Sequence, residues 1–116
     1  MRPQLLRWQW DGYPTFHTRK LNLFIHIVAV PLFAASFFNL LWCLGHLWGV
    51  GAAISAVGMA LGFGVQGLGH GREANPAIPF DGPGDAVSRI FAEQLITFPR
   101  FVLSGRWWRA LKAGRN

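Results

Sequence analysis

Two stretches of this sequence carry side chains that can bind a metal ion. His70 and Glu73 are three residues apart, which places them on one face of a helix if the helix continues that far. His17 and His26 lie near the N-terminus and supply two further imidazoles. Imidazole and carboxylate groups with an open position are the ligands of oxygen-activating iron(II) sites. These residues form one centre only if the fold brings the two stretches together.

Charged residues are scarce and unevenly distributed along the chain. They make up only 14% of the residues, whereas 52% are hydrophobic; soluble domains usually contain about 25% charged residues. No Asp, Glu, Lys or Arg occurs from Leu21 through Gly71. A transmembrane helix needs about 20 apolar residues, so this run has room for two crossings. We therefore predict an all-α membrane protein built on a two-helix transmembrane hairpin.

The predicted hairpin lies within a single membrane domain covering residues 1–116. Its first crossing is predicted over residues 21–42 and its second over residues 49–70. The other segments are an interfacial N-terminal segment at 1–20 that is not a cleavable signal peptide, a Pro- and Gly-rich loop at 71–84, an amphipathic helix at 85–103 interrupted near Pro99, and a basic tail at 104–116. Trp107 and Trp108 in that tail are expected at the membrane interface.

The basic residues lie on both sides of the apolar run and give a net charge of +6. Two crossings return the chain to the side on which it started, so both basic ends share one compartment. The positive-inside rule makes that compartment the cytoplasm, with the protein in the inner membrane of a bacterium or the endoplasmic reticulum of a eukaryote. Phospholipid headgroups account for the basic ends, and no nucleic-acid partner is predicted.

The second predicted crossing is rich in small residues, and Gly58 and Gly62 form a GxxxG spacing. Small residues let helix backbones approach closely within a membrane. Two partners are open for this face: the first crossing of the same chain, or a second copy in a homo-oligomer.

The hairpin predicts that His17, His26 and His70 lie at one membrane level, near the cytoplasmic face. His46 belongs to the opposite end, about 30 Å away by helix rise, and is excluded from this group. Three imidazoles at one level suit a divalent transition metal. Histidines that only hydrogen-bond between helices are the other interpretation. Glu73 either joins the histidines, pairs with a neighbouring Arg, or caps a helix end.

Other polar residues are expected around the histidines rather than in direct contact with a metal. Tyr13, Asn22 and Gln66 are candidates for supporting or helix-bridging groups, or, for Tyr13, an interfacial anchor.

The spacing of several of these residues resembles that of a known protein family. Tyr13-x-x-x-His17, Asn22-x-x-x-His26, Pro31, and then Gln66-x-x-Gly69-His70-x-x-Glu73-x-x-Pro76-Ala77 resemble the signature of the 2-hydroxy-fatty-acid dioxygenase family. That resemblance implies an iron(II)-dependent enzyme of fatty-acid α-oxidation, which uses O2 to shorten a 2-hydroxy fatty acid by one carbon. It gives His17, His26 and His70 an iron-binding role and makes Glu73 the matching acidic residue of the catalytic site. His46 matches nothing in the motif.

The resemblance and the predicted hairpin together suggest how such a substrate would bind. Its tail would lie between the crossings, with its carboxylate paired to Arg72, or to Arg19 or Lys20. The alternative function is non-enzymatic: a small membrane hairpin subunit or lipid-binding scaffold whose histidines bridge helices. A third interpretation is a zinc hydrolase.

Overall fold

The computed structural model describes residues 2–115, so Met1 and Asn116, the ends of the predicted domain, lie outside the described residues. The described residues form helices and contain no β-strand, which confirms the predicted all-α class. The elements in chain order are α1 Leu5–Gly12, a 3-10 turn Tyr13–Phe16, α2 Lys20–Gly45, α3 Gly49–His70, α4 Pro83–Ala92, a π-helical turn Glu93–Thr97, α5 Phe98–Leu103 and α6 Arg106–Ala113.

The helices α2 and α3 form an antiparallel hairpin and are both long and apolar enough to cross a membrane. They contain 26 and 22 residues, which corresponds to about 39 Å and 33 Å of helix. Much of their apolar surface faces outward: Val28 is 70% exposed and Ile54 is 66% exposed. Pro31 lies within α2 without ending the helix.

Small residues bring α2 and α3 into close contact. A Cβ at Gly58 would overlap the hydroxyl of Ser36, and a Cβ at Gly62 would lie 3.1 Å from the carbonyl oxygen of Ala29. Both glycines therefore face α2, which is one of the two partners considered from the sequence. A polar bridge also joins the helices, because the Nδ2 of Asn39 donates a hydrogen bond of 2.7 Å to the hydroxyl of Ser55.

The helix α4, the π-helical turn and α5 follow one another without a break, and this C-terminal rod packs on the hairpin. The helix begins at Pro83, two residues before the predicted start. Further along, Pro99 has no N–H to donate within the helix, so the carbonyl oxygen one turn earlier has no regular α-helical partner. The interruption expected near Pro99 takes the form of the π-helical turn that ends at Thr97.

The apolar core lies between the N-terminal segment, α2 and the C-terminal helices. It contains Tyr13, Leu23, Val30, Phe98, Phe101 and Trp107. The indole of Trp107 donates a hydrogen bond of 3.1 Å to the carbonyl oxygen of Leu23, so α6 is anchored to α2. Trp107 is therefore a core residue, only 5% exposed, and does not present its ring on the surface as an interfacial anchor would.

Candidate metal centre

Three histidines that are distant in sequence meet at one end of the hairpin. His17 follows the 3-10 turn, His26 lies in α2, and His70 is the last residue of α3. Their ring centroids are 4.7 Å apart for His17 and His26, 4.8 Å for His17 and His70, and 4.9 Å for His26 and His70. Each pair of rings is nearly perpendicular. The structure thus brings together the histidines that the sequence placed at one level, while His46 lies at the hairpin tip, stacked on Trp42.

Backbone carbonyls fix the orientation of two of these rings. The Nδ1 of His17 lies 2.8 Å from the carbonyl oxygen of Tyr13, and the Nδ1 of His26 lies 2.9 Å from that of Asn22. A carbonyl oxygen can only accept, so Nδ1 carries the proton, and in the neutral form of each ring Nε2 carries a lone pair. Metal-binding histidines commonly donate their other N–H in this way.

The carboxylate at the cluster belongs to Glu93, the first residue of the π-helical turn. Its Oε2 lies 3.5 Å from the Nε2 of His17 and 3.6 Å from the Nε2 of His26. The phenol of Tyr13 donates a hydrogen bond of 2.7 Å to the same oxygen. The Tyr13 ring also stacks on His17, with centroids 3.8 Å apart and planes inclined by 13°. Tyr13 therefore positions one acidic and one imidazole group of the cluster.

Burial and neighbouring groups set the ionisation states outside the two long helices. Burial lowers the pKa of His17, and this outweighs the opposing effect of the Glu93 carboxylate. Burial acts to raise the pKa of Glu93, but the protonated forms of His17 and His26, which donate toward its oxygen, lower that pKa well below its usual range. Burial, together with the charge of Glu93, raises the pKa of Tyr13, so the phenol remains a donor. A neutral imidazole and an ionised carboxylate are the states that metal binding needs.

The cluster is able to hold a metal ion. One donor atom from each of His17, His26, His70 and Glu93 lies within 4.8 Å of the others. The Nε2 atoms of His17 and His26 and the Nδ1 of His70 are buried and have no hydrogen-bond partner. Leaving a buried polar atom unsatisfied costs about 1–3 kcal/mol, and lone pairs directed at a carboxylate repel it. A cation bound by the four residues would satisfy the Nε2 atoms of His17 and His26 beside Glu93, so the donor set fits a metal ion.

Glu73 lies at the N-terminus of α2 and is not part of this group. Its carboxylate accepts hydrogen bonds from the N–H and the hydroxyl of Thr18, from the N–H of Arg19 and from the Nδ2 of Asn22. A carboxylate satisfies the N–H groups at a helix start and interacts favourably with the positive end of the helix dipole. Of the roles open for Glu73 from the sequence, helix capping is the one observed, and because it occupies both oxygens the catalytic assignment of Glu73 beside the histidines is corrected.

Asn22 and Gln66 lie around the cluster and connect its supporting elements. The backbone carbonyl oxygen of Asn22 lies at the Nδ1 of His26, and the Nδ2 of its side chain donates a hydrogen bond to Glu73. The amides of Gln66 and Gln94 donate reciprocal hydrogen bonds of 2.8 Å, which join α3 to the π-helical turn. This pair fixes the turn that carries the Glu93 carboxylate.

A glycine permits the close approach of the helices at the level of the histidines. A Cβ at Gly69 would overlap the Oδ1 of Asn22, a fully buried residue whose Nδ2 donates a hydrogen bond to Glu73. Only a residue without a side chain fits here, so the end of α3 can lie directly against α2. That contact brings His70 to His26.

A cavity of about 410 Å³ lies beside the cluster. His17, His70 and Glu93 line it, whereas His26 is fully buried and does not. Much of the remaining wall is apolar: Phe16, Phe63, Ala77, Ile78, Phe80 and Ile90. The volume falls within the range of small-molecule sites. The sequence-based candidate for substrate pairing, Arg72, is exposed and does not line this cavity.

Sequence analysis missed Glu93 because its residue type and position carried no motif. It falls beside the apolar stripe of the predicted amphipathic helix, where a carboxylate usually faces solvent. Glu73 and Glu93 are the only glutamates in the chain. That scarcity was the one signal in the sequence that Glu93 could be the acidic ligand. Comparison with protein-family models, curated proteins and solved structures finds no match to this chain.

Proposed function

We propose that this protein is a membrane-embedded iron(II)-dependent dioxygenase that shortens 2-hydroxy fatty acids by one carbon with O2. The observation that carries the proposal is the convergence of three imidazole donors and the Glu93 carboxylate beside an apolar cavity. Nitrogen and carboxylate donors with an open position are typical of oxygen-activating iron sites. The motif resemblance supplies the substrate class and the reaction.

In this proposal α2 and α3 cross the membrane, and both chain ends lie on the cytoplasmic side. The support is the length and apolar surface of the two helices and the basic residues that flank them. The metal centre then lies near the cytoplasmic interface, at the end of the hairpin where His70 closes α3. The N-terminal and C-terminal amphipathic helices cover this end at the level of the headgroups.

The cavity gives the substrate a defined orientation. The metal-binding candidates His17, His70 and Glu93 form its polar end. Phe63 lies seven residues before His70 on α3, which is about 10 Å along the helix axis toward the middle of the membrane. An acyl chain would lie along the apolar wall toward Phe63, with its 2-hydroxyl at the donors. Bound among these side chains, iron(II) supplies the O2 activation that the reaction requires.

Each protein group has a separate part in this proposal. His26 holds the ion from the buried side, away from the cavity. Tyr13 keeps its proton and orients the Glu93 carboxylate through a hydrogen bond. The apolar wall excludes water from the polar end once the acyl chain is in place, which strengthens electrostatic interactions there.

Iron reconstitution under argon, followed by oxygen uptake with 2-hydroxypalmitate, tests the function. We expect about one iron per chain and oxygen uptake that requires the 2-hydroxy acid. His70→Ala should abolish uptake, while His46→Ala at the hairpin tip should leave it unchanged. Stoichiometric zinc without oxygen uptake would favour the zinc hydrolase. A protein that binds no metal, or full activity in His70→Ala, would refute the proposed centre and favour the non-enzymatic hairpin.

A further inference from the structure

A buried cation lines the same cavity, one helical turn before Glu93. Arg89 is only 9% exposed, and its side chain forms part of the cavity wall. Its guanidinium lies over two aromatic rings, 4.6 Å from the centroid of Phe80 and 5.1 Å from that of Trp8. Arginine is almost never buried without a partner. The groups around Arg89 therefore show which of its donors are already used and which could bind a ligand.

Three hydrogen bonds hold Arg89 in place. Its Nη1 donates to the carbonyl oxygen of Pro79 and to the Oδ2 of Asp85, and its Nη2 donates to the carbonyl oxygen of Ile78. A guanidinium has five N–H donors. Among the described hydrogen bonds, the Nε–H and one Nη2–H therefore have no acceptor. The Nε–H and the Nη2 group form one edge of the planar guanidinium, and such an edge can bind a carboxylate through two oxygens.

We propose that Arg89 recognises the carboxylate of the fatty-acid substrate through that edge. The inference rests on the proposed function for its substrate class, and it replaces Arg72, Arg19 and Lys20, which do not line the cavity. Asp85 partly neutralises Arg89, and it would weaken the attraction for an anionic ligand without blocking the remaining donors. A fatty acid would thus be distinguished from an uncharged lipid of equal length.

A matched surface pair provides the control for testing Arg89. Arg7 and Asp11 form an i,i+4 ion pair like Asp85 and Arg89, but both side chains are more than two-thirds exposed. Arg7→Lys and Asp11→Asn therefore repeat the same chemical changes away from the cavity. Arg89→Lys keeps the charge and much of the side-chain volume, and it removes the planar fork.

Binding of radiolabelled 2-hydroxypalmitate to the full-length protein in nanodiscs under argon, with the acid and its methyl ester as competitors, tests the assignment. We expect Arg89→Lys to reduce the preference for the acid about tenfold or more, with ester binding unchanged. Asp85→Asn should strengthen acid binding several-fold and leave ester binding unchanged. The two surface variants should match the wild type.

Two results would overturn the role of Arg89. One is equal affinity of the wild type for acid and ester. The other is an equal loss of both ligands in Arg89→Lys and Asp85→Asn, which is the outcome if the pair only holds the loop at Ile78 and Pro79. Oxygen uptake is measured separately, so an acid preference without turnover would refute the dioxygenase and retain the carboxylate site.

Discussion

Replacing Glu93 with Gln should remove most of the metal affinity while leaving the hairpin folded. The substitution keeps the shape of the side chain and can still accept the hydrogen bond from Tyr13. It removes the negative charge that lies 3.5 Å and 3.6 Å from the Nε2 atoms of His17 and His26. The ion would then sit among three neutral imidazoles, with its charge uncompensated at a buried position.

The expected magnitude follows from the burial of these groups. The Glu93 side chain is 17% exposed, and the side chains of His17 and His26 are 3% and 0% exposed. Breaking a buried ion pair by neutralising one partner costs about 3–5 kcal/mol. Since every 1.4 kcal/mol changes an equilibrium tenfold, iron affinity should fall roughly 100-fold or more. Titration against a competing chelator under argon measures this change.

Glu73→Gln is the matched control, because it makes the same change in the only other glutamate. The carboxylate of Glu73 serves Thr18, Arg19 and Asn22 at the helix start. We expect this variant to retain most of its iron affinity and to lose about 1.5–3 kcal/mol of stability, as for hydrogen bonds to a charged group. Loss of iron in Glu73→Gln with full affinity in Glu93→Gln would refute the assignment of the two carboxylates.

Three further changes test the surroundings of the centre. Tyr13→Phe keeps the ring that stacks on the histidine and removes the hydrogen bond to the carboxylate, so chelator titration should show about tenfold weaker iron binding. Gly69→Ala should lower both the melting temperature and the iron content, because the new methyl group overlaps Asn22, whereas Gly64→Ala on the same helix has no neighbour within 4 Å and should not. Burial acts to raise the pKa of Glu73, but hydrogen bonds from its partners at the helix start outweigh it and lower the pKa. The unfolded chain therefore binds a proton at Glu73 more readily than the folded chain does. The melting temperature of the wild type should exceed that of Glu73→Gln above about pH 4.3, and the difference should disappear as the pH falls below that value.

The hairpin could be predicted because the sequence pattern of each of its helices is local and extends along the whole helix. The absence of charge from Leu21 through Gly71 and the run of small residues both act within single helices. Packing of the C-terminal helices depends on contacts with distant residues. Trp107 illustrates the difference: its type and its basic neighbours indicated an interfacial position, but the carbonyl of Leu23 and the surrounding core bury it.

The histidine cluster could be predicted for a similar reason, since antiparallel helices bring the start of one beside the end of the other. The acidic member could not, because the choice between Glu73 and Glu93 depends on where the C-terminal rod docks. Glu73 is close in sequence to His70, but hydrogen-bond donors at the start of α2 capture its oxygens. The π-helical turn and the Gln66–Gln94 amide pair then position Glu93.

The four donor residues are spread over most of the chain, from His17 to Glu93. During synthesis the anionic donor is therefore the last to leave the ribosome, after both long helices. A nascent chain that ends before α4 offers only imidazoles, and tight capture of the ion has to wait until the C-terminal rod has docked. An ion that binds only the finished protein stabilises it by about 2.7 kcal/mol when free metal is 100 times Kd. Cellular metal supply would then control how many newly made molecules survive quality control.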